Sequence, residues 1–401
     1  MSNLRKFIDK IKPNFLPGGK FEKLHSTFDA FETFLFVPNT TSKSGVHIHD
    51  AVDSKRTMIV VVLALLPALL FGMYNVGFQH YNAIGQADAG FWQMFWFGLL
   101  AVLPIVVVSY VVGLSIEFAG AQIRKEEVQE GFLVTGMLIP LIVPVDTPLW
   151  MIAVATAFAV IFAKEVFGGT GMNIFNVALV TRAFLFFAYP QSMSGDQVWI
   201  RTKDTFGLGG GAVVDGFSGA TPLGQVATST EAHTQIVDMF GQSYSLLDTV
   251  IGLIPGSIGE TSVIAIALGA LLLLITGVAS WKVMFSVFAG GAFMGLVFNH
   301  FGPDTASANL PWIYHLTLGG FAFGAVFMAT DPVTASRTET GKWIYGFLIG
   351  VLAIIIRVLN PGYAEGMMLA ILLMNIFAPL IDFYVVDANI KKRLKRVQVN
   401  E

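Results

Sequence analysis

Ten runs of apolar residues dominate this 401-residue chain, and they restrict it to a helical bundle that crosses a membrane many times. They lie at roughly 57–74, 95–118, 131–143, 148–166 and 172–188, and again at 261–278, 282–299, 314–330, 343–358 and 365–386. A helix needs about 20 apolar residues to cross the bilayer core. Only 13% of the residues are charged, against about 25% in a soluble domain.

The runs fall into two sets of five. The third run of each set is short and ends at proline: Pro140 and Pro144 in one, Thr330-Asp331-Pro332 in the other. A Trp-started run follows in both (Trp150, Trp343), and the fifth run of the first set begins at the broken stretch Gly168-Gly169-Thr170-Gly171. Short Gly/Pro-interrupted segments at matching places point to an internal repeat with a site near the bilayer midplane. Positive charge alternates along the loops. It is present in residues 1–56, at Arg124 and Lys125, at Lys282, at Arg337 and Lys342, and in the tail from Lys391 to Arg396; it is absent from 75–94, 144–147 and 299–313. By the positive-inside rule both termini are cytoplasmic, and five spans per half make the second half enter inverted. The expected fold is an all-α polytopic membrane protein of about ten transmembrane helices, arranged as two inverted five-helix repeats with broken or half helices. Its parts are a cytoplasmic segment (1–56), a first repeat (57–188), a periplasmic loop (189–260), a second repeat (261–386) and a basic tail (387–401). Leu246 to Ile254 is apolar but too short to span, and reads as interfacial or re-entrant.

Residues 1–56 carry nine Lys or Arg and do not read as a signal peptide. Phe21, Leu24, Phe28, Phe31 and Leu35 recur at helical spacing, marking an amphipathic helix for the membrane surface or for a partner; the mixed charge of Glu22, Asp29 and Glu32 favours a partner. The chain has no cysteine, which excludes cysteine-ligated iron–sulfur clusters within it, so electrons passing through it need an organic cofactor. A net charge of −3 gives no reason to expect nucleic acid as a partner. Lys164 to Gly171 lacks the lysine–hydroxyl ending of a phosphate loop, and Gly207 to Gly211 lacks the flanking strand and helix of a dinucleotide site. His47 and His49 stand alone.

Ionisable residues inside spans are costly and usually functional. They are Glu117, Glu130, Lys164, Glu165, Arg182, Asp331, Arg357, Glu365 and Asp382. Many sit near segment ends, where snorkelling or capping explains them equally well. Asp331 follows a break where a carboxylate and freed carbonyls suit a hard cation; an ordinary Asp-Pro turn is the plain alternative. Arg182 and Arg357 are placed to pair with an acid or a bound flavin.

The longest polar loop holds Asp215-Gly216-Phe217-Ser218-Gly219-Ala220-Thr221. By composition alone it is a surface turn. As a pattern, Asp-Gly-x-Ser-Gly-Ala-Thr resembles the flavinylation motif of the family formed by the B subunit of the Na+-translocating NADH:quinone oxidoreductase and the D subunit of the Rnf complex. The likeness extends over most of the chain, through Lys164 to Gly171, Arg182 to Pro190, Ile254 to Glu260, Gly319 to Gly324, Met328 to Val333, and Asn360-Pro361 with Glu365 to Leu372. The resemblance implies FMN esterified through its phosphate to Thr221 by a separate flavin transferase, with Asp215, Gly216, Ser218 and Gly219 forming the presenting loop. It further implies noncovalent riboflavin among the helices, ubiquinone as substrate near Gly131, and Na+ handling by Glu130, Asp331 and Asp382. The chain would then be one member of a six-subunit inner-membrane complex, beside the A, C, D, E and F subunits, with NADH oxidised elsewhere. The competing expectations are an Rnf-type complex fed by ferredoxin, and a cofactor-free channel or secondary transporter.

Overall fold

A computed structural model of the chain describes residues 3–16, 18–21, 24–25, 27–28, 32, 36, 44–45, 54–124, 126, 128, 131–195, 199–201, 203–208, 219–238 and 240–398. These residues form an all-α polytopic membrane protein. Six helices are long and apolar enough to cross a membrane, and three further apolar helices are shorter. The first set of apolar runs becomes α1 (Ser54–Ala83), α2 (Phe91–Arg124), α3 (Phe132–Leu141), α4 (Leu149–Ala163) and α5 (Val177–Ala188). The second becomes α6 (Val263–Ile275), α7 (Trp281–Phe301), α8 (Trp312–Thr317), α9 (Glu339–Leu359) and α10 (Met367–Gln398). The eighth run is the most broken. After α8 the chain turns at Gly319, whose φ of 64° lies in the left-handed region. It then makes one turn at Phe321–Phe323 and a π-turn at Gly324–Met328, closed by Ala329 N–H donating to the Gly324 carbonyl at 2.7 Å.

Helix ends depart from the sequence expectation where polar side chains find buried partners. α1 runs on past 74 to Ala83. Its Asn75 amide donates to the Ile254 carbonyl at 2.9 Å, and His80 Nδ1 meets the Arg201 carbonyl at 2.5 Å. α5 starts at Val177 rather than 172. Gly168, Gly169 and Gly171 all have positive φ, and Asn176 caps the helix by accepting from Ala178 N–H and Leu179 N–H. Leu246–Ile251 is a helix of six residues, opened by a Ser245–Asp248 capping box and ended by left-handed Gly252. That is far too short to cross, as its run length suggested. In the N-terminal segment the described helix is Asn3–Ile11. Of the helix expected over 21–35, Phe31 and Leu35 lie outside the described residues, while Phe15 stacks on Phe21 and Phe28.

Packing pairs recur between the two sets. α2 packs on α3 and α4, α4 on α5, and α3 on both α1 and α5. Likewise α7 packs on α8 and α9, α9 on α10, and the turns after α8 touch α6 and α10. The close α1–α2 pair belongs to the first set only. The sets meet through α1–α6 and α5–α10. Glycine permits a close approach between α7 and α9. A Cβ on Gly350 or Gly290 would strike the backbone carbonyl of Val287 or Phe347 on the opposite helix. Small residues serve this purpose in membrane helices, where close backbone packing replaces the hydrophobic drive. Gly350→Val is expected to cost at least about 1–3 kcal/mol by overpacking, seen as a lower melting midpoint in detergent.

The described part of the loop between α5 and α6 forms a small folded cap. Leu223, Val226, Ile236 and Ile254 form a second apolar cluster with Ala306, Leu310 and Leu318 from the far end of α7 and α8. The short helix Pro222–Thr228 is buried there and fixes the residue just before it, Thr221.

Candidate functional site

Thr221 sits at the N-cap of Pro222–Thr228 with extended backbone, φ −66° and ψ 152°. Its Oγ1 accepts from Gly224 N–H at 3.0 Å and donates to the Gly195 carbonyl at 3.3 Å. Its N–H donates to the same carbonyl at 2.9 Å. Gly195 must lack a side chain, because a Cβ would lie 2.8 Å from Thr221 Oγ1. Gly219 is described next to it, its carbonyl accepting from Trp199 N–H at 2.9 Å. Asp215, Gly216 and Ser218 lie outside the described residues.

The Thr221 hydroxyl borders a cavity of about 250 Å³ whose other walls include Arg182, Phe186, Trp199, Tyr363 and Glu365. Arg182 is 3% exposed. Its guanidinium donates to Glu260 at 2.9 Å, to Ser257 Oγ at 3.3 Å, and to the Ile142 carbonyl and the Glu365 carboxylate. One cation thus ties α5 to the segment before α6 and the segment before α10. A second buried cation lies beside it. Arg357 on α9 donates to the carbonyls of His315 at 2.6 Å, Leu318 at 3.3 Å and Glu365 at 3.1 Å. The His315 and Leu318 carbonyls are freed by the break after α8, so the broken run and the arginine require one another.

The pocket can take a flavin in part. It supplies aromatic walls, a buried cation and a hydroxyl at its rim. It is smaller than the roughly 300–1,000 Å³ of pockets that enclose a drug-sized ligand, so a flavin attached at its rim would be only partly enclosed by this chain.

A second cavity, of about 110 Å³, lies between α1, α3 and the breaks before α5 and after the π-turn. It brings together Gly131, Lys164, Thr170, Asn176 and Asp331. Asp331 is held by Val333 N–H at 3.0 Å, Thr334 Oγ1 at 3.1 Å and Asn176 Nδ2 at 3.2 Å. Among the described residues no group of three His, Asp or Glu is arranged to hold a metal; an ion beside Asp331 would need neutral oxygens to complete its shell. Lys164 is paired with Glu117 inside the bundle, and Arg124 with Glu165 at 2.7 Å. Glu130 lies outside the described residues.

Asp382 does not line this cavity. It accepts from Ser336 Oγ and Thr338 Oγ1 at 2.6 Å each, from Arg337 N–H at 2.8 Å and from Thr338 N–H at 3.0 Å. It therefore pins α10 to the strap that runs from Asp331 to the α9 N-cap, Thr338. Asp382→Ala is expected to cost about 2 kcal/mol, the value of a helix-end anchor plus a charge-assisted bond, read as a lower melting midpoint.

The comparison with protein families fits this architecture. Residues 41–391 match the model of the NQR2, RnfD, RnfE family. The chain belongs to that family. Its relatives include the B subunit of the Na(+)-translocating NADH-quinone reductase of Ectopseudomonas mendocina, 46% identical over 98% of this chain and 99% of the relative. The protein of the same name from Chromohalobacter salexigens is 45% identical over 98% and 96%, and that from Neisseria meningitidis serogroup B is 46% identical over 98% and 99%. As a family member, the chain brings Thr221 and Arg182 to one cavity and Gly131 and Asp331 to another. Sequence reasoning flagged all four but missed their partners. Glu260 stood inside a quoted motif without a role, and Asn176 gave no signal beyond its place before an apolar run.

Proposed function

We propose that this chain is the membrane subunit of a redox-driven sodium pump. It passes electrons through FMN carried covalently on Thr221, and through riboflavin held among its helices, to ubiquinone. Na+ moves from cytoplasm to periplasm, and NADH is oxidised by another member of the complex, among the A, C, D, E and F subunits. The chain lies in the inner membrane with both termini cytoplasmic, its halves inverted, and residues 189–260 outside. The observation that carries this reading is the Thr221 hydroxyl on the rim of a cavity that contains a buried guanidinium and three aromatic rings. Full-length likeness to relatives named for the sodium pump supports it over the ferredoxin-linked alternative.

Bound flavin supplies the electron-transfer chemistry, while the protein supplies position and electrostatics. Thr221 offers the oxygen to which a flavin transferase attaches the phosphate; a threonine hydroxyl needs that outside activation. Arg182 places its guanidinium at the pocket wall, shared with Glu260 and Glu365. Gly131 lets Thr170 pack against the start of α3, since a Cβ there would lie 2.5 Å from that side chain, and both residues line the cavity proposed to take the quinone ring. Asp331 offers the ion a carboxylate, and Asp382 acts through the strap that holds it.

In the purified complex, Na+ is expected to stimulate quinone reduction by NADH. Asp331→Asn is expected to raise the Na+ concentration for half-maximal stimulation about tenfold, the loss of one ionic contact, with the covalent flavin retained. An unchanged Na+ response removes Asp331 from the ion's path.

A further inference from the structure

A third cavity, of about 470 Å³, opens between α2, the turn before α4, and residues 201 and 203–206. Its inner wall is apolar: Leu100, Ala101, Pro104 and Ile105 of α2. Its rim holds two cations and two acids, Arg201, Lys203, Asp146 and Asp204. Arg201 is oriented by its neighbours, with Nε donating to Thr205 Oγ1 at 2.8 Å and Nη1 reaching Asp146 at 3.5 Å. Nη2 has no hydrogen-bond partner among the described residues. Lys203 and Asp204 are exposed.

The level of this cavity in the bilayer can be read from the chain. α2 and α4 begin at the same end of the bundle, and both begin with exposed tryptophans: Trp92 and Trp96 at 68% and 53%, and Trp150 at 56%. Exposed tryptophans at helix starts mark the headgroup interface. Leu100 to Ile105 follow Trp96 along the helix, so at 1.5 Å per residue they lie about 6–14 Å deeper. Leu103 and Val107 on the same stretch of α2 are exposed, at 45% and 49%. The cavity therefore has its charged rim at headgroup level and its apolar wall at acyl-chain level.

We infer that this cavity is a binding site for one bilayer phospholipid with a zwitterionic, amine-bearing headgroup of the phosphatidylethanolamine type. The phosphate fits between Arg201 and Lys203, where a guanidinium offers paired donors to phosphate oxygens. The ammonium fits Asp146 and Asp204. An acyl chain fits along the α2 wall of Leu100, Ala101, Pro104 and Ile105. A rim with two charges of each sign selects a headgroup that carries both over one that carries only a negative charge.

The test is native mass spectrometry of the full-length chain taken from bilayers of phosphatidylethanolamine and phosphatidylglycerol in equal amounts with matched acyl chains. One phosphatidylethanolamine per chain is expected to survive, with phosphatidylglycerol at least about tenfold rarer. Lys203→Ala is expected to lower that occupancy about tenfold, the loss of one charge-assisted contact. Lys203 is exposed, so the variant should fold. Equal retention of both lipids, or retention unaffected by Lys203→Ala, overturns the proposal. A photo-crosslinker at Leu100 in the intact complex gives a separate reading. A lipid adduct agrees with the inference, whereas capture of another subunit's helix overturns it.

Discussion

Thr221→Ala is expected to leave the chain with no covalent flavin at all. The denatured chain, resolved on a gel under ultraviolet light, should lose its yellow fluorescence, and quinone reduction by the complex should fall to background. The same side chain also caps Pro222–Thr228 through Gly224 N–H, so the alanine variant loses about 1 kcal/mol of structure as well. Two further variants separate the roles. Thr221→Asn keeps a capping acceptor but has no hydroxyl, so it should melt like the parent and carry no flavin. Thr221→Ser keeps both functions and should retain some flavin. A fluorescent Thr221→Asn chain would move the attachment point elsewhere.

Arg182→Met is expected to be the most damaging single change to the fold. Glu260, 2% exposed, and Glu365 would then face each other's charge in the bundle without the guanidinium that joins them. Removing one partner of a buried ion pair costs about 3–5 kcal/mol, because the remaining charge stays desolvated. The expected readout is poor recovery from the membrane and a strongly lowered melting midpoint. Arg182→Lys keeps the charge but cannot reach Glu260, Glu365 and the Ile142 carbonyl together, so it should fall between. Adding Glu260→Gln and Glu365→Gln to Arg182→Met should restore much of the stability while the pocket beside Thr221 stays without a cation there. If Arg182→Met alone melts like the parent, the cluster does not hold α5 to the segments before α6 and α10.

The fold was largely legible because lipid leaves few choices. Each apolar run became a helix or, at the eighth, a broken set of turns, and the Gly/Pro interruptions fell where the backbone does break. What the sequence concealed was pairing. Arg182 and Glu260 are separated by 78 positions, and nothing local says that one neutralises the other. Likewise Asn75 and His80 fall past the run at 57–74, yet tertiary partners at Ile254 and Arg201 carry α1 onward. The site residues divide in the same way. Thr221 stood out as a candidate because a seven-residue pattern ends on it. Asp382 was legible as a charge, but its four donors come from a strap that only the folded bundle lays against α10. Asn176, which links the start of α5 to Asp331, was legible as neither.

The central claim is that Thr221 carries a flavin through a phosphoester. The most direct measurement is mass spectrometry of the proteolytic peptide containing Thr221, from chain made in cells that also make an active flavin transferase. The account predicts that peptide with FMN added at the Thr221 oxygen. Recovery of the same peptide unmodified, from cells in which the transferase demonstrably loads another protein, would contradict it.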